Sequence, residues 1–208
     1  MGLLYTIGHS RHEFNYFSNL LKIYEINYLL DVRSTPYSQY AETYNKEQLS
    51  NLLSAKGITY SFMGRFFGAR PDNIELYNEE GYLDFEKMSY SDSFIKGMES
   101  VNLGLNRGNN IVLMCTEKDP IDCHRAIMVA RAFSLRGIDV RHILPNGKYQ
   151  TQQELDERLL NKHYPDRAQL SILNYDKIIS VEETIKLAYR KQNKEIGYHL
   201  QQKERVIV

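Results

Sequence analysis

The sequence predicts an α/β fold: an open, mainly parallel sheet flanked by helices (Rossmann-like), with a C-terminal helical extension. Three observations predict it. Strand-like and helix-like segments alternate along the chain. The strand-like runs are near-continuously apolar, as strands covered on both faces are. The length of 208 residues, with 42% hydrophobic and 25% charged residues, suits one globular domain plus a small appendage. The expected division is an α/β domain over 1–164 and a C-terminal helical extension packed on the core over 165–208.

Leu3 to Ile7 reads as a first buried strand, followed by Gly8-His9-Ser10. Ser10 with Glu13 has the spacing of a capping box, and Phe14, Phe17, Leu20, Leu21 and Tyr24 recur at helical intervals behind it. Ile26 to Leu30 is a second strand, ending in Asp31-Val32-Arg33 before Ser34-Thr35-Pro36 breaks it. Asn45 with Gln48 marks a further helix start, and Gly57 its stop. Ile58 to Met63 is a third strand, and 72–89 carries no assignable pattern. A helix is expected over 91–106, a clear fourth strand over 111–114, and a helix from an Asp122 cap to Gly137. Ile138 to Leu144 is a fifth strand, and Thr151 with Glu154 caps another helix. In the tail, Leu170 to Ser180 is expected along the core, and Val181 to Lys191 as an amphipathic helix docked through Val181, Ile185, Leu187 and Ala188.

Composition excludes several classes of function. Equal numbers of acidic and basic residues, 26 each, rule out a broadly basic coat for nucleic acid, though not a local basic cleft. No apolar run approaches the ~20 residues of a membrane span, so no membrane partner is expected. Two cysteines make no disulfide scaffold, and the start of the chain has no basic leader, so a cytoplasmic location is expected. The glycine-rich dinucleotide fingerprint is absent, which leaves the cofactor unassigned.

Right-handed crossovers put every parallel strand's carboxyl end on one edge, where ligands of open α/β sheets bind. The chemically capable residues fall at those ends: Gly8, His9 and Ser10; Asp31 and Arg33; Arg65; then Cys115 and Glu117, with Cys123-His124-Arg125 opening a helix. If the first strand neighbours the fourth, His9 and Cys115 lie side by side. The segment Met114-Cys115-Thr116-Glu117-Lys118-Asp119-Pro120-Ile121-Asp122-Cys123-His124-Arg125 carries the most information. Together with Tyr5-Thr6-Ile7-Gly8-His9-Ser10 and Asp31-Val32-Arg33-Ser34-Thr35-Pro36, it resembles the domain of unknown function 488 family, in which a strand ends in Cys-x-Glu and a Pro and Cys-His-Arg follow. The similarity runs over 3–164, the Ala188-Tyr189 to Asn193 region also looks like the tail of longer members, and the resemblance implies the fold more firmly than an activity. One departure is Met63-Gly64-Arg65, where members often read Leu-Gly-Gly.

Four readings of these residues stand beside bland ones. Cys115 is a nucleophile, with Glu117 or His9 moving a proton, or simply a small buried residue ending a strand. Cys115 and Cys123 are a redox pair. Cys115, Cys123, His124, His9 and Glu117 offer mixed metal ligands, though without a standard spacing. Arg33, Arg65, Arg70 and Arg125 clamp an anion, or Arg33 merely pairs with Asp31. The leading expectation is an enzyme with catalytic Cys115, Glu117 and His9, without a metal. Its anionic ligand, a phosphorylated small molecule, nucleotide or nucleic acid, would be held by Gly8, Ser10, Asp31, Arg33, Arg65, Cys123, His124 and Arg125. The alternative is a non-enzymatic module that senses a nucleotide, nucleic acid or metal.

Overall fold

The computed structural model describes residues 1–166 and 180–200. Six strands form one sheet: β1 (Leu4–Gly8), β2 (Tyr28–Asp31), β3 (Thr59–Phe62), β4 (Ile111–Cys115), β5 (Val140–Ile143) and β6 (Tyr149–Thr151), in the order β3-β2-β4-β1-β5-β6. All neighbours are parallel except β5 and β6. The fold is the α/β class that the alternating pattern predicts. The antiparallel edge strand β6 was invisible in the sequence because three residues are too few for a period.

Two cores cover the two faces. Alternation along β4 sends Val112 and Met114 to one, with Phe17, Leu20 and Leu21 of helix α1 (Phe14–Ile23) and Leu49 and Leu53 of α2 (Lys46–Ser54). Ile111, Leu113 and Cys115 face the other, against α5 (Asp92–Asn106) and the π-helical turn Arg125–Ala130, which runs into α6 (Arg131–Ser134). The short α3 (Gly64–Phe67) packs there too, and Gly97 of α5 is glycine because an added Cβ would meet Phe66 and Phe67 at 2.7 and 2.8 Å. In the unassigned stretch lies α4 (Phe85–Ser89), whose cap Asp84 accepts the N–H groups of Glu86 and Lys87. The connections after β1 and β4 thus pack on opposite faces. The crevice between the carboxyl ends of these neighbouring strands is the switch point of the sheet.

Local signals held where nothing competed for them. Ser91 caps α5, and Thr151 with Glu154 forms the full capping box of α7 (Gln152–His163). Ser10 and Glu13 form none: Ser10 takes φ +46°, and its N–H extends the β1–β4 ladder to the Thr116 carbonyl. Asn45 spends its side-chain oxygen on the Ser38 N–H, and Asp122 ends a 3-10 turn instead of capping the next helix. In the tail, Ser180 caps α8 (Val181–Ile196). Of its expected anchors, Ala188 is buried and Ile185 packs against the core, but Val181 is 65% exposed and the buried face continues through Tyr189, Gln192 and Asn193. Most of the Leu170 to Ser180 expectation lies outside the described residues. No helix among the described residues is long and apolar enough to cross a membrane.

Candidate functional site: a thiol cluster beside a cationic cleft

Cys115 ends β4 directly opposite Gly8 of β1, as the adjacency of first and fourth strands implies. The chain then loops out through Glu117 and returns. Asp119 caps the 3-10 turn Pro120–Asp122 by accepting the Ile121 N–H, and Arg158 of α7 pins its other oxygen at 2.7 Å. Gln192 of α8 donates to the Ile121 carbonyl at 2.9 Å. This bracing delivers Cys123, His124 and Arg125 beneath the end of β4.

The side chains form a compact cluster. His124 Nδ1 is 3.8 Å from Cys115 Sγ and 4.0 Å from Cys123 Sγ, while its Nε2 donates to the Val32 carbonyl at 3.0 Å. The Cys115, Cys123 and His124 ligand atoms all lie within 4.8 Å of one another. Glu117 is exposed along its stem, but its Oε2 turns inward to share a 2.8 Å hydrogen bond with Cys123 Sγ. Both cysteines are free and buried. Burial, reinforced by Cys123, pushes the Cys115 thiol well above its ordinary value. Burial acts the same way on Cys123 but is outweighed by the Cys115 hydrogen bond, the Arg125 charge and His124, which hold this thiol well below. Burial opposes charge on His124, yet contact with Cys123 raises it; burial and Cys123 likewise raise Glu117. Of the two thiols, Cys115 is thus the one pushed up and Cys123 the one held down.

Arg125 is fully buried under this cluster. Its guanidinium donates to the backbone carbonyls of Glu117 (2.8 Å) and Lys118 (3.5 Å), and its Nε has no partner among the described residues. Gly8 makes this packing possible. A Cβ there would lie 1.8 Å from the Glu117 carbonyl oxygen, so the close approach that glycine permits is made by the loop itself.

A cleft of about 390 Å³ opens on the other side of His9, walled by Ser10, Arg11, Arg33, Tyr37 and Thr116. Arg33 chelates the fully buried Asp31 (2.9 and 2.6 Å) and donates to the Tyr44 carbonyl at 2.7 Å. Asp31 accepts a further bond from Tyr60 Oη at 2.8 Å. His9 stacks on Tyr44 with ring centroids 4.2 Å apart. Burial, then the charges of Arg33 and Arg125, pull His9 down to about 3, so the ring is neutral. Its Nδ1 faces the Arg11 N–H at 3.2 Å and its Nε2 faces Arg33 Nη1 at 3.5 Å. A neutral imidazole has one acceptor nitrogen for these two donors. This wall of the cleft therefore carries more donors than acceptors. Ser10 and Arg11 both hold left-handed φ values, +46° and +56°, a strain that concentrates at functional loops.

Of the residues singled out by sequence, Cys115, Glu117, Cys123, His124 and Arg125 converge in the cluster. His9, Ser10 and Arg33 meet at the adjoining cleft, with Asp31 beneath Arg33, while Gly8 packs against the Glu117 loop and Arg125. Arg65 joins neither: it is exposed and lies over the Phe66 ring at 4.6 Å. The N–H groups of His9 and Ser10 donate to the Cys115 and Thr116 carbonyls, so neither is free for an anion. Sequence reasoning missed Arg11, Tyr37, Tyr44 and Tyr60. They carry no periodic or motif signal: Tyr37 and Tyr44 come in on the 33–45 loop, Tyr60 on β3 beside β2, and Arg11 through the left-handed turn after Ser10.

Fold and site define a class: an α/β protein with a buried Cys-His-carboxylate cluster and a cationic cleft at the switch point of its sheet. The family model described as Domain of unknown function DUF488 matches residues 13–132, and the chain belongs to that family. The matched span takes in Asp31, Arg33 and the whole 115–125 segment, and leaves Gly8-His9-Ser10 before it. No curated protein and no solved structure gives a match.

Proposed function

We propose that the protein is an enzyme that acts on a small anionic ligand. The cleft at His9, Arg11 and Arg33 binds the ligand, and the Cys115–Cys123–His124–Glu117 cluster supplies the chemistry. The observation that carries this reading is the donor excess at the cleft wall. Arg33 Nη1, the Arg11 N–H and the His9 ring converge with one acceptor nitrogen among them, and an anion's oxygens supply the missing acceptors. The size of the cleft suits a nucleotide or smaller phosphorylated molecule rather than a polymer. Titration of the full chain with inorganic phosphate, sulfate and nucleoside phosphates, followed by calorimetry, tests it. Binding that weakens at least tenfold in Arg33→Lys, which keeps a cation for Asp31 but removes the Nη1 donor, is expected. No heat and no thermal shift with any of the three at millimolar levels would refute it. A second reading, a binding module without catalysis, is favoured by the burial of Cys115 and Cys123 at 3% and 1% exposure. A bound anion that is never chemically altered would decide for that reading.

A further inference from the structure

We infer that Cys115, Cys123 and His124 are three ligands of a mononuclear site for a zinc-class divalent metal ion, with the Glu117 carboxylate as the fourth donor. This deepens the proposed function by taking the same cluster as its chemical centre, but it rests on separate observations.

The first is spacing. Zinc holds sulfur at about 2.3 Å and imidazole nitrogen at about 2.0–2.1 Å, so tetrahedral ligands stand about 3.6 Å (S to N) and about 3.8 Å (S to S) apart. The two sulfur–nitrogen distances of 3.8 and 4.0 Å match this, and the whole triad falls within 4.8 Å. Glu117 Oε2, at 2.8 Å from Cys123 Sγ, is closer than two ligands of one ion. Binding must therefore replace that hydrogen bond, with a shift of ~0.7 Å by the Glu117 carboxylate.

The second is orientation. His124 Nε2 is committed to the Val32 carbonyl, which fixes the ring and leaves Nδ1 directed at the two sulfurs. A backbone carbonyl on the far nitrogen is the usual outer partner of a metal-ligating histidine. The mixed thiolate and imidazole set suits zinc or iron and not a hard cation. The third is charge. Two thiolates, one carboxylate, the buried Arg125 and a divalent ion sum to zero, whereas Arg125 has no ion-pair partner among the described residues. Coordination releases to solvent the Cys115 proton and the one shared by Cys123 and Glu117, so no oxidant or further reactant enters.

The full chain, stripped of metal by a chelator under reducing conditions, is titrated with Co²⁺ and then with Zn²⁺. One equivalent of Co²⁺ should produce the visible bands of a tetrahedral ion and a thiolate charge-transfer band in the near ultraviolet, and Zn²⁺ should abolish both. Loss of an outer partner costs about 10–100-fold in metal affinity, so Cys123→Ser and His124→Asn should each cost about 100-fold or more. Cys115→Ala/Cys123→Ala, which keeps small apolar groups in the core, should lose the charge-transfer band while retaining its circular dichroism. Absence of the bands in the native chain overturns the inference, and so does undiminished binding in the double variant. Cobalt binding without any anion binding would sink the proposed function and leave the metal site standing. Anion binding without cobalt bands would do the reverse.

Discussion

Arg33 and Arg125 are both buried at the same sheet edge, yet they are held in opposite ways. Arg33 grips a carboxylate with two nitrogens, and Asp31 is itself further satisfied by Tyr60 and the Arg33 N–H. Its charge is paired with Asp31, and Nη1 is left toward the cleft beside His9. Arg125 touches backbone carbonyls and no carboxylate among the described residues. Its field reaches Cys123, His9 and His142, on each of which it lowers the proton affinity. Both arginines build the site, but their reach differs: the charge of Arg33 acts on His9 beside it, whereas that of Arg125 acts on Cys123 and His142 as well.

Breaking the pair should have the largest effect. Asp31→Asn leaves Arg33 buried against a neutral amide, which typically costs about 3–5 kcal/mol and should appear as a lower midpoint in urea unfolding. Gly8→Ala comes next. Its Cβ would displace the Glu117 carbonyl that holds Arg125, so a loss of about 1–3 kcal/mol is expected, with the thiol cluster disturbed in the same variant. Arg125→Met should cost less than about 2 kcal/mol by the same unfolding measurement. The lost hydrogen bonds are offset by removing a buried charge that has no ion-pair partner. A loss as large as that of Asp31→Asn would show that the two arginines are equivalent and end the comparison.

The smallest effect sharpens the difference. His142 is fully buried between Thr6 Oγ1 (2.9 Å) and Gln152 Oε1 (3.1 Å), and burial followed by the Arg125 charge lowers it from 6.5 to about 3. Its folded value lies below its unfolded one, so the unfolded chain takes up the proton first as pH falls. The stability tied to neutral His142 is complete above pH 6.5 and drains away as pH falls toward 3. In Arg125→Met the folded value moves up toward the ordinary one, and the loss between these limits should be shallower. Each unit of change is about 1.4 kcal/mol. An unchanged slope would mean that Arg125's charge does not reach the histidine.

The sequence by itself determined whatever depends on neighbours in the chain. The apolar runs of β1 and β4, the Ser91 and Thr151 caps and the Gly-His-Ser and Cys-His-Arg segments at strand ends were all legible, because period and capping are settled within a few residues. Right-handed crossovers then placed those segments on one edge. Tertiary structure decided the rest. Ser10 had a helix-capping spacing, but pairing with the Thr116 carbonyl outweighed it and turned the residue left-handed. Gly8 was legible as a strand-end residue, but not that Glu117's own backbone would pack against it. That Tyr44 stacks on His9 and Tyr60 bonds Asp31 depends on groups far apart in the chain. Their energies come from burial and from charges a few ångströms away, which have no period in the sequence and exist only once the strands are side by side.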